Sequence, residues 1–162
     1  MKTIRTIISC LFVLLLLTGC GRSGLPGLVP AAGIVTLNDV PVEGASVSFS
    51  PKSGTPDTRS ASATTDKNGK FIATTLDYGD GMSPGEYLIL VTKTTTVTSG
   101  TLSTDEKKIR DNRQVTNHLP SKYGSKDTTD LTVTIPAKGN KNIELKLEGK
   151  VDLTPQKPKG PR

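Results

Sequence analysis

The chain contains no tryptophan and a single histidine, His118. Each scarcity excludes something. Zinc centres usually draw several His, Cys or carboxylate ligands, so one histidine leaves too few for the common sets. No serine sits in a Gly-x-Ser-x-Gly elbow, so the usual strand-to-helix nucleophile arrangement is missing. Without tryptophan, and with only three tyrosines and three phenylalanines, a strong sugar-stacking platform is not expected. The acidic and basic counts, 15 against 21, give a formal charge of +6. With no basic stripe interleaved by aromatics, nucleic acid is not an expected partner.

Long apolar runs are absent after the first twenty residues. Within those twenty, Lys2 and Arg5 form a short positive region, and Ile7, Ile8, Leu11, Phe12, Val13 and Leu14 to Leu17 follow as an apolar run. That order is the layout of a secretory signal peptide. The run is about a dozen residues, short of the roughly 20 that span a bilayer as a helix. It ends in Leu17-Thr18-Gly19-Cys20, which resembles the lipobox of bacterial lipoproteins. The resemblance implies cleavage between Gly19 and Cys20, lipidation of the Cys20 sulfur and acylation of its new amino group. More than one acyl chain on one residue gives stable anchoring, whereas one alone is marginal. The expected location is therefore the cell envelope, with the membrane reached through the anchor. Gly21 stands where enterobacterial inner-membrane retention often uses Asp, which favours the outer membrane.

Cys10 leaves with the signal and Cys20 is the lipid site, so the mature domain is expected to have no disulfide and to depend on packing alone. Loss of Lys2 and Arg5 leaves a net charge of about +4, a mild excess that suits solubility or contact with anionic envelope polymers.

Residues 21–30 are rich in Gly and Pro and read as a tether between lipid and domain. Seven short runs then carry strand patterning: 33–37, 45–49, 60–65, 70–75, 85–93, 131–135 and 142–147. Most alternate apolar with polar residues, the period of a half-buried strand. Run 85–93 is almost continuously apolar in its middle, as expected of a central strand. Asp66-Lys67-Asn68-Gly69 is a tight turn between antiparallel partners. Residues 94–130 form a long irregular connection, with Ser103-Thr104-Asp105-Glu106 placed to cap a short helix through 108–112. Residues 154–162, with three prolines, read as a disordered basic tail. Short strands, Gly/Asn/Pro turns and little helix indicate an all-β, antiparallel seven-stranded β-sandwich spanning 32–149.

Three stretches carry a family resemblance. Residues 33–47, Gly-Ile-Val-Thr-Leu-Asn-Asp-Val-Pro-Val-Glu-Gly-Ala-Ser-Val, follow the pattern G-x-V-T-L-x-G-x-P-hydrophobic-x-G-A-x-V, with Asp39 where Gly is usual. Residues 65–71 follow T-D-x-x-G-x-F, and Pro84-Gly85-Glu86-Tyr87 follows P-G-x-Y before a strand. Together they resemble the carboxypeptidase regulatory-like domain, which implies a transthyretin-like (prealbumin-like) sandwich. The layout, lipobox included, is similar to short lipoproteins abundant in planctomycetes, and 119–124 with 128–135 looks like their later segment. Hydrolase relatives of transthyretin use more than one histidine and a C-terminal Tyr-Arg-Gly-Ser, and intradiol dioxygenases bind iron through two Tyr and two His. Neither set is present, so the resemblance implies a fold and a location rather than an activity.

The remaining candidates have stronger structural readings. Asp66 to Gly69 is too short for a calcium loop and is flanked by Lys67 and Lys70. Asp77, Asp80 and Glu86 form a looser acidic group. His118 is expected to be an ordinary loop residue, with Leu119 and Tyr123 packing back on the sandwich. Phe49, Phe71 and Tyr87 are expected in the core or at its edge. Lys157 and Lys159 could touch anionic envelope. The expected function is that of a lipid-anchored, non-enzymatic binding or structural protein without cofactor or metal, its partner an envelope protein or glycan. The alternative is an envelope enzyme or accessory subunit with its site in 94–130.

Overall fold

A computed structural model describes residues 25, 27–52, 58–98, 113–151 and 153 of the chain. The strands in chain order are β1 (Ala31–Leu37), β2 (Val40–Pro41), β3 (Ser46–Pro51), β4 (Ala61–Thr64), β5 (Lys70–Ile72), β6 (Gly85–Thr92), β7 (Thr94–Thr98), β8 (Arg113–Asn117), β9 (Thr132–Ile135) and β10 (Asn140–Leu147). One 3-10 turn, Ser121–Gly124, lies between β8 and β9. The protein is an all-β sandwich, as the alternating runs lead one to expect.

One sheet has the order β4-β3-β6-β9, all antiparallel. The other is built around β1. β10 lies along one side of β1, while β5 and β2 share the other side, β5 against Ala32–Ile34 and β2 against Thr36–Leu37. A bridge between Ser62 and Thr74 joins the two sheets at the β4–β5 corner. All seven expected strands are present. The three additional ones are the two-residue β2 and the ribbon of β7 with β8, which forms a small sheet of its own.

The first and last strands of the sandwich, β1 and β10, run parallel, in register from Gly33↔Ile143 to Leu37↔Leu147. This corrects the expectation of a wholly antiparallel sandwich. Alternation reports which face a residue takes but not which way the strand runs. The parallel pair also explains Gly33, the first residue of the first motif. A bulge separates Ala31 from Gly33 in the register, and at Gly33 the backbone carbonyl of Ile143 approaches so closely that a Cβ would collide with it.

The core follows from the period-2 patterns. From β3 come Val47 and Phe49, from β6 Tyr87, Ile89 and Val91, and from β10 Ile143, Leu145 and Leu147, all buried. β6 is hydrogen-bonded on both sides, to β3 and β9, which accounts for its apolar run: Leu88 and Leu90, on its other face, are also half-buried. Phe49 sits at the centre, its ring 5.9 Å from Phe71 and 6.4 Å, edge to face, from Tyr87. One motif aromatic thus packs between the other two, and such aromatic pairs add about 0.5–1.5 kcal/mol each beyond area burial.

Two boundaries differ from expectation. The domain begins before residue 32. Val29 pairs with Met82 through both backbone hydrogen bonds, and the Pro30 carbonyl accepts from Asn140 N–H. The last residues assigned to a tether therefore belong to the sandwich. Second, 94–130 is not irregular throughout. It opens as β7, returns as β8 and then packs Leu119 and Tyr123 into the core. The expected helix at 103–112, the expected signal at 1–19, the expected lipid site Cys20 and the expected tail at 154–162 lie outside the described residues.

Candidate functional site

Strand direction gives the sandwich two distinct ends. β1 and β6 both start at one end, where Val29 bonds to Met82 and the turn preceding β10 packs on Pro30. We call this the entry end. At the opposite end lie the Asn38-Asp39 turn, the Asp66–Gly69 turn and the last residues of β6 and β10. β7 continues from β6 after Lys93, so the β7–β8 ribbon leaves from that far end.

Most residues singled out in the sequence are occupied in holding these ends together. Thr65 is the only buried polar side chain among the described residues. Its Oγ1 accepts from Ala45 N–H at 2.8 Å and donates to the Val42 carbonyl at 2.6 Å, tying the second motif to the first. Asp66 Oδ1 accepts from the N–H groups of Asn68 and Lys70 at 2.8 and 2.9 Å, so this carboxylate closes the turn. The strands on either side, expected to be antiparallel partners of each other, pair instead with β3 and β1, and the turn carries the chain from one sheet to the other. Gly69 has φ +73°, and a Cβ there would stand 2.6 Å from the Val35 carbonyl oxygen. The T-D-x-x-G-x-F pattern is thus explained by a turn and a core aromatic.

Asp80 behaves similarly. Desolvation pushes its pKa up, but N–H groups of Thr75, Leu76 and Asp77 donate to its two oxygens at 2.7–3.0 Å and outweigh that effect. The carboxyl is held below its ordinary value. Among the described residues no three His, Cys, Asp or Glu side chains gather as a metal-holding group. The Tyr87 hydroxyl donates to the Ser83 carbonyl at 2.8 Å, and burial of the phenol pushes its pKa up despite that bond.

The segment after the ribbon is also tied down. Tyr123 is buried, and its hydroxyl accepts from Glu148 N–H at 2.9 Å. Thr129 donates to the Ile89 carbonyl at 2.8 Å. His118 lies at the ribbon base, with ring Nε2 2.7 Å from Thr95 Oγ1 and the backbone N–H of His118 donating to the Lys93 carbonyl at 2.7 Å. No described serine, cysteine or carboxylate is bonded to it, and the arrangement does what a hinge pin does: it fixes the ribbon to the end of β6. Within the described part of 94–130 the Thr95 hydroxyl meets the His118 imidazole, and no described carboxylate orients that ring. Gly19 and Cys20, where cleavage and lipidation are expected, lie outside the described residues.

Two surfaces remain. The first is the ribbon, whose described β7 residues Thr94 to Val97 are all exposed. The second is a cleft of about 550 Å³ on the outer face of the β5–β1–β10 sheet, toward the entry end. Its floor includes Ala32 and Ile34, and its walls carry Lys70, Ile72, Tyr78 and Lys141. Tyr78 is 87% exposed. In the sequence Tyr78 is an aromatic outside any alternating run, set among Asp77, Gly79, Asp80 and Gly81, and that is the signal that could have found it. Among the described residues no helix is long and apolar enough to cross a membrane.

No family model and no curated protein matches this chain. Among solved structures it is similar to a putative adhesin from Bacteroides ovatus, at 18% sequence identity and a TM-score of 0.38. That match covers 82% of this chain and 49% of the other, so the chain spans about half the length of that protein.

Proposed function

We propose that this protein is a lipid-anchored component of a bacterial cell envelope whose transthyretin-like sandwich is a non-enzymatic binding or structural domain. Export and anchoring rest on the signal-like N-terminus and on Leu17-Thr18-Gly19-Cys20. The observation that carries the binding role is the polarity of the sandwich. The chain from Cys20 enters at one end, and the ribbon, which the hydrophobic core does not require, leaves from the other. An anchored domain built this way holds its ribbon away from the bilayer, where an envelope protein or glycan can reach it. The occupied state of Thr65, Asp66, Asp80 and Tyr123 supports a structural rather than catalytic reading of the motif residues.

The test is fractionation of cells making the native chain or Cys20→Ala. The native protein is expected to sediment with membranes and to resist extraction by salt and alkali, and the variant is expected in the soluble exported fraction. Equal partitioning of the two would remove the anchor and leave a secreted sandwich.

A further inference from the structure

Six large hydrophobic side chains are exposed among the described residues, and three of them, Ile72, Leu76 and Tyr78, fall in one stretch at the end of β5 and the loop after it. Val40 belongs to the far end and Val97 to the ribbon. The clustered three are held in place. Asp80 ties down the backbone of Thr75, Leu76 and Asp77, and Gly81 N–H donates to the Ala73 carbonyl. Met82, immediately after this loop, pairs with Val29. The exposed apolar patch is therefore stitched to the point at which the N-terminal segment joins the domain.

Lysines surround the patch. Lys70 and Lys141 line the cleft shared with Ile72 and Tyr78, and Lys138 lies in the turn whose Gly139 packs on Pro30. None of the three is in an ion pair among the described residues. Of the carboxylates nearby, Asp80 is taken up by backbone N–H groups, Asp66 closes its turn, and Glu144 is paired with Lys146 at 3.3 Å. Asp77 is the remaining one on the loop.

From this we infer that the entry end is a membrane-facing surface, with Tyr78, Leu76 and Ile72 seated in the interfacial layer of a phospholipid bilayer and Lys70, Lys138 and Lys141 reaching headgroup phosphates. The inference rests on the lipid-anchor reading for its biological setting. Tyrosine suits such a layer because its ring is apolar and its hydroxyl is polar. The geometry allows it: Val29 is nine residue steps along the chain from Cys20, a reach of at most about 30 Å at ~3.4 Å per residue. A tether that short gives an effective surface concentration on the order of millimolar, so a weak contact suffices to keep the domain seated. The domain then stands with its apolar loop down and its ribbon up.

The experiment uses the chain from Cys20 onward, which contains every described residue and a single thiol. That thiol is coupled to a maleimide lipid in vesicles of phosphatidylethanolamine and phosphatidylglycerol, with or without bromine on the acyl chains. Because the protein has no tryptophan, Tyr78→Trp and Val40→Trp each supply one fluorophore, at opposite ends. Bromine is expected to quench the Tyr78→Trp chain by about half or more and to leave the Val40→Trp chain unchanged, with Leu76→Ser and Ile72→Ser each reducing the quenching in the Tyr78→Trp background. Equal quenching of the two ends, or none at either in a chain with native circular dichroism, would overturn the inference. Chemical coupling replaces the natural lipid, so this result is independent of whether Cys20 is acylated in cells.

Discussion

β6 and β7 are consecutive strands separated by one residue, yet they are held by different forces. β6 has a partner on each side and places Tyr87, Ile89 and Val91 in the core. β7 pairs only with β8, and none of its described residues is buried. The first strand is specified by burial, the second by the β-propensity of threonine and valine and by the pin that His118 and Thr95 provide at its base. A two-stranded ribbon alone is marginally stable in water. The same chain thus changes, within a few residues, from an element that the fold cannot spare to one it carries outward.

That contrast can be broken most forcefully from the sandwich side. Phe49→Ala removes the ring that bridges Phe71 and Tyr87, and is expected to cost about 3–5 kcal/mol in denaturant unfolding, enough to threaten the fold. Thr65→Val keeps the shape but strands the Ala45 N–H and the Val42 carbonyl, and is expected to cost about 1–3 kcal/mol by the same measurement. On the ribbon, hydrogen exchange sharpens the comparison. Amides of Thr95 to Val97 are expected to exchange on the order of a hundredfold faster than those of Leu88 to Val91. Equal protection of the two would mean that the ribbon is part of the cooperative unit.

Smaller effects refine the ends. Asn38 and Asp39 both have positive φ, 48° and 65°, and form a two-residue hairpin turn of the mirror-image type. Asn38 also holds the end of β10 through Gly149. Asp39→Gly relieves the left-handed cost at the position where the resembled pattern has glycine, and is expected to stabilise by about 0.5–1 kcal/mol. At the entry end, the Asp80 carboxyl has a folded-state pKa below its unfolded value. Its contribution is fully present above the unfolded value and is lost as pH falls through the folded one. Asp80→Asn is expected to flatten the acid limb of a stability–pH curve while leaving the neutral and alkaline parts parallel.

Much of the fold was legible because a sandwich strand is written in alternation. Val47 and Phe49, or Ile143, Leu145 and Leu147, announce one buried face each. The turn at Asp66–Gly69 was legible because Asn-Gly accepts positive φ. The direction of β10 was not, since alternation reads the same in both directions. Val29 and Pro30 looked like tether because backbone hydrogen bonds, which side chains do not encode, attach them to the domain. Thr-Thr-Thr-Val-Thr at β7 has no apolar face to mark it as a strand, and the ribbon therefore hid within what read as loop. The entry-end patch was hidden for the opposite reason: Leu76 and Tyr78 look like stray loop residues until Asp80 and Met82 fix where the loop points.

Polarity matters only if the entry end is the anchored one, so the most direct measurement is the intact mass of the protein extracted from the membrane fraction, with its N-terminal peptide sequenced. An N-terminus at Cys20 carrying the added mass of acyl chains is the result expected here. A chain beginning elsewhere, or beginning at an unmodified Cys20, would contradict the account.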